Sequence, residues 1–180
     1  MQIDRPGATT KWLDLPRLCR CFLPIVAGIR GEPATLAGIF YFSATPTHRT
    51  ADQQARHALY MKCLAGTGVD VSLSQFKRHK EKETDVAIAA KLFEICHAQL
   101  AESIVLVTGD TDLAPAVRLC QNLFADRTVL FAFPYHRLND ELRQLAPGSF
   151  KISAKTYFQN QFPDPLVLQD GTSIAKPASW

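Results

Sequence analysis

The chain has 180 residues, 47% of them hydrophobic and 21% charged, which describes one compact domain with a real core and excludes a disordered or low-complexity protein. The formal net charge of +3 permits a nucleic-acid partner without arguing for one. Five cysteines at scattered spacings, with no C-x-x-C pair, exclude a disulfide framework and a zinc site of the usual spacing.

In chain order, "KWLDLPRLCRCFLP" (11–24) reads as a short helix with Leu15, Leu18, Cys19 and Phe22 on one side. "ATLAGIFYFSA" (34–44) is a nearly continuous apolar run and predicts a buried strand, with Tyr41 and Phe42 as core residues. Residues 50–68 predict a helix closed by Gly66 and Gly68, and "VDVSLSQF" (69–76) a strand with one wetter face. "KRHKEKE" (77–83) is a charged connector. "TDVAIAAKLFEICHAQL" (84–100) is the clearest helix, with Ile88, Ala89, Leu92, Phe93 and Cys96 at helical spacing. A strand over 103–108, a helix over 112–124, a strand over 127–133, a short helix over 138–146 and a last strand over 149–153 follow. From about residue 154 the rhythm is lost, and 154–180 reads as a Pro-containing tail, partly ordered, after a domain at 11–153. Alternating strands and helices imply an α/β fold with a mainly parallel sheet. No apolar run approaches the ~20 residues of a membrane helix. The N-terminus has no signal-peptide core. A soluble, cytoplasmic protein is expected.

The chemistry concentrates in "SIVLVTGDTDLAPAV" (103–117). A buried strand ends in Gly109, Asp110, Thr111 and Asp112, at the sheet edge where open α/β sheets bind ligands. Asp85 opens the preceding helix at the same edge. Converging carboxylates repel unless one is protonated or a cation lies between them. Mg²⁺ takes oxygen ligands and bridges a few carboxylates to phosphates. The plainer reading is capping: Thr84, Asp85, Thr111 and Asp112 all suit helix N-termini, whereas Asp110 precedes the expected cap. A haloacid-dehalogenase-like phosphatase would need a D-x-D-x-T nucleophile loop, which the sequence lacks, and there is no Ser-His-Asp or Cys-His set, P-loop or G-x-G-x-x-G. Arg78, in the basic run 77–80, and His136, after the strand 127–133, are candidate phosphate contacts, with Arg137 beside His136; the alternative for the run is a solvated loop.

"EKETDVAIAAKLFE" followed by "ESIVLVTGDTDLAPAVR" resembles the paired signature of NYN domains, the LabA-like branch of the PIN-like ribonuclease superfamily. "KWLDLPRL", "FYFSA" and "FPYHRLNDELRQLA" resemble other parts of such proteins. The resemblance implies a PIN-like three-layer α/β/α sandwich with a mainly parallel central sheet. It also implies a metal-dependent ribonuclease in which Asp85, Asp110 and Asp112 are catalytic residues holding Mg²⁺ or Mn²⁺. RNA is then the partner, with Lys82 at the family's basic position, no membrane, and a homodimer left open. The match starts near Lys11, so the family's first strand with its D-G-x-N motif is missing, through a misassigned start or a degenerate site. Asp4, in "QID", is the candidate substitute. The alternative function is a catalytically impaired NYN-fold module that binds RNA or protein. No cysteine-bearing insertion precedes "EKETD", so no zinc knuckle is expected.

Overall fold

The computed structural model describes residues 10–74 and 82–180, without the side chain of Lys82. Asp4, Arg78 and the rest of the basic run 77–80 lie outside the described residues. The chain forms two compact units: residues 82–153, and residues up to 81 together with 154–180.

In the first of these by sequence, helix α1 (Leu15–Arg20) is started by Asp14, whose carboxylate accepts the Arg17 N–H at 2.9 Å. The helix expected over 11–24 is shorter, because the chain turns at Cys21–Phe22, and a second helix that the sequence reading did not anticipate, α2 (Leu23–Arg30), begins there with a proline in its first turn. Proline lacks an N–H, so it fits a helix start, where that donor would have no partner. Strand β1 (Phe40–Ala44) pairs in parallel with β2 (Asp70–Ser74), and α3 (Ala51–Gly66) makes the crossover a parallel pair requires. Thr50 and Gln53 close a capping box at the start of α3. The apolar residues 34–39, expected as strand, precede β1: ladder pairing covers only five residues on each side.

Residues 154–180 are built into this unit. They carry α7 (Ala154–Gln159) and an antiparallel pair, β6 (Leu166–Val167) with β7 (Ser173–Ile174). Asp14 N–H donates to Asn160 O at 2.9 Å, Phe162 N–H to Trp12 O at 2.8 Å, and Trp12 Nε1–H to Pro163 O at 3.1 Å. The core combines Trp12, Met61, Cys63 and Leu64 with Phe162, Leu166, Leu168 and Ile174.

The second unit runs α4 (Lys82–His97), β3 (Ser103–Leu106), a 3-10 turn (Thr111–Leu113), α5 (Ala114–Leu123), β4 (Thr128–Phe133), α6 (Asp140–Leu145) and β5 (Ser149–Lys151). Its sheet is parallel throughout, in the order β3-β4-β5. Val129 to Phe133 are buried without a break, so β4 is covered on both faces, as α/β/α layering demands. The fold class is α/β with parallel sheets, as expected. No helix among the described residues is long and apolar enough to cross a membrane.

Candidate metal and phosphate edge

Strand β3 delivers the chain to the edge of its sheet, where Thr108, Gly109 and Asp110 turn it into α5. Thr108 Oγ1 accepts the Asp110 N–H at 3.0 Å, and Asp110 Oδ1 accepts the Asp112 N–H at 3.1 Å. Asp110 is therefore the cap of the 3-10 turn, and Asp112 lies in its first turn. This reverses the expected assignment of cap and non-cap, because the helical path begins one residue earlier than hydrophobic spacing suggests. Buried Leu113 and Ala114 pin the turn to the core, while both carboxylates face solvent. The N-terminal end of α5 carries partial positive charge, which eases the repulsion between them.

Gly109 explains how a second loop joins this edge. A methyl group there would run into the carbonyl oxygen of Arg137 and come within 2.9 Å of its Cβ. Only a hydrogen fits, so the loop after β4 seats directly on the loop after β3. That second loop is a tight turn, with Arg137 N–H donating to Pro134 O at 2.9 Å. His136 takes a left-handed conformation with φ 59°, and its ring meets Tyr135 at a centroid distance of 3.9 Å. His136 and Arg137 are both exposed beside the acidic turn.

Asp85 lies in the first turn of α4, which packs against the 3-10 turn and α5. Helix α4 starts at Lys82, ahead of the expected start at Thr84, so Thr84 and Asp85 are inside the first turn rather than capping it. Among the described residues no three His, Cys, Asp or Glu groups are placed to hold a metal ion. Asp110 and Asp112 come together; Asp85 is on an adjoining element. The oxygen chemistry of the pair still suits Mg²⁺, which keeps several waters and is commonly held by one or two carboxylates. Arg118 is occupied with Glu141 at 3.2 Å, an exposed pair of little energetic weight.

Sequence reasoning missed Thr108, whose role is signalled by a hydroxyl two residues before the cap. It also missed the steric demand at Gly109, which depends on a loop 28 residues away and has no local signal.

A family model described as "NYN domain" matches residues 18–153. The chain belongs to the NYN domain family. The family lies in the PIN-like nuclease superfamily, whose members generally use divalent metals, and NYN domains are generally RNA-related. A solved protein of unknown function from Vibrio parahaemolyticus is similar in fold, with a TM-score of 0.51 and 19% identity over 65% of this chain and 69% of that one. The comparison with curated proteins gives no match.

Proposed function

We propose that this NYN domain is a metal-dependent ribonuclease of the LabA-like branch, with Asp110, Asp112 and Asp85 as its acidic residues and RNA as its substrate. The observation that carries this reading is the exposed carboxylate pair on a fixed turn at the edge of a parallel sheet, inside a chain matched by the NYN model. Capping alone needs one carboxylate at this turn. The second, Asp112, is exposed in the first turn and is not the cap, which supports a role in holding a cation.

Asp110 and Asp112 would hold Mg²⁺ or Mn²⁺, with Asp85 contributing from α4. When bound, such an ion activates water and steadies the charge that develops in phosphodiester cleavage. The Asp110–Asp112 hydrogen bond fixes the orientation of one carboxylate before any ligand arrives. Arg137 and His136 offer positive or hydrogen-bonding groups to the scissile phosphate or its neighbours; Lys82, at the head of α4, and Arg78 are further proposed phosphate contacts.

Five free thiols fit a reducing, cytoplasmic setting.

One observation favours the second reading, a noncatalytic RNA-binding module. Asp110 has a structural task as a cap, which keeps the residue useful without chemistry. Equilibrium Mn²⁺ titration separates the two. The ribonuclease reading predicts a saturable site that is lost in Asp112→Asn, together with Mn²⁺-dependent RNA cleavage. RNA binding without saturable Mn²⁺ uptake or cleavage selects the module.

A further inference from the structure

The unit formed by residues up to 81 and 154–180 carries an open depression of its own, about 400 Å³ in volume. Its walls combine aromatic, aliphatic and basic side chains. Tyr41, Tyr60 and Trp180 give it aromatic surface, and Arg56, His57 and Lys11 give it nitrogen donors. No Asp or Glu side chain among the described residues lines it.

The rings are held, not loose. Tyr60 meets Trp180 edge-on at 5.8 Å and Tyr41 edge-on at 6.4 Å. The Tyr60 hydroxyl donates to Leu13 O at 2.8 Å, and Trp180 also packs on Trp12 at 5.8 Å. Arg56 is oriented by Asp52 one turn back along α3 and by Ser179 Oγ at 2.8 Å. His57 Nε2 is hydrogen-bonded to Ser43 Oγ at 3.1 Å. Preset rings and a preset guanidinium lower the ordering cost of binding.

We propose that this cleft binds a nucleotide, with the base stacked on Trp180, Tyr60 at its edge, and the phosphate on Arg56. Aromatic surface beside arginine is the combination that binds single-stranded nucleic acid, because every base has a π-face and every phosphate a charge. Guanidinium is also the side chain best matched to phosphate oxygens. The ligand is either a free nucleotide or one unit of a single strand. The strand form rests on the RNA reading above; the free form does not.

The test is calorimetric titration with adenosine monophosphate, adenosine and a short oligoadenylate, in EDTA so that cleavage is silent. Wild type should bind the monophosphate saturably. Trp180→Ala should weaken the monophosphate and adenosine alike by about ten-fold, ~1.4 kcal/mol. Arg56→Gln should weaken the monophosphate far more than adenosine; it removes no ring from the cleft, so it decides the matter if Trp180→Ala fails to fold. Oligoadenylate binding tighter than the monophosphate identifies a strand as the ligand, and equal affinities identify a free nucleotide. No saturable binding of any probe, or affinities unchanged in Arg56→Gln and in folded Trp180→Ala, overturns the proposal. Asp110→Asn separates the two sites: binding here survives that substitution, whereas cleavage at the acidic turn does not.

Discussion

Replacing Gly109 with alanine puts one methyl group where the β4–α6 loop already sits. The added carbon would run into the Arg137 carbonyl oxygen and lie 2.9 Å from its Cβ and 3.2 Å from its carbonyl carbon. Two of those three atoms are backbone, in a turn closed by its own hydrogen bond, so relief requires the loop to move. Overpacking of this kind costs about 1–3 kcal/mol. For a chain of this length that is roughly 2–4 °C in melting temperature per kcal/mol. Two other glycines calibrate the argument. At Gly66 a methyl would meet the Leu168 side chain at 2.7 Å, but the atoms are methyls that can rotate, so Gly66→Ala should cost less. At Gly28, inside α2, nothing lies within 4 Å, and alanine should stabilise by up to about 0.5–1 kcal/mol through helix propensity. Urea midpoints for the three variants should therefore rank Gly28→Ala above wild type, then Gly66→Ala, then Gly109→Ala. A Gly109→Ala midpoint at or above wild type would refute the seating of the two loops.

Asp110→Ala should cost about 1 kcal/mol through loss of the cap, while Asp110→Asn, itself a good cap, should stay near wild type in urea. Trp12→Ala should cost about 3–5 kcal/mol, since the ring is 1% exposed and joins Phe162 and Pro163 to the core; a loss under 1 kcal/mol would contradict that packing. Burial, and then neighbouring Cys96, push the Cys120 thiol from 9.0 up to about 12. Between those values the unfolded chain releases a proton that the folded chain keeps, so stability should fall as pH rises above about 9, read as a declining urea midpoint. Cys21 is exposed and should react first with an alkylating reagent, with Cys63, Cys96 and Cys120 modified only on unfolding.

The elements that sequence reveals best are those whose signals are local. The apolar run before Gly109 and the carboxylates after it mark the end of β3 and the start of the α5 path. The helical spacing of Ile88, Leu92 and Cys96 marks α4. Errors arise where a boundary depends on something else. Lys82 and Glu83 look like connector charges but form the first turn of α4, because charged residues at a helix start cost little and acidic ones are favoured there. Pro24 splits one apolar stretch into α1 and α2. The packing of Trp12 on Phe162, at a ring distance of 5.7 Å, joins residues 150 apart and leaves no trace in either local pattern. The nucleotide cleft is of the same kind, drawing on residues near 10, 41, 56 and 180. At the acidic turn, sequence picks out both carboxylates, but not that Asp110 caps the 3-10 turn.

The most direct test of the ribonuclease reading is the Mn²⁺-dependent cleavage rate of a short single-stranded RNA, measured for wild type and Asp110→Asn with urea midpoints on the same samples. The account predicts cleavage by wild type that falls by at least about 100-fold in the variant while the midpoint holds. Equal cleavage by a folded Asp110→Asn protein would contradict it.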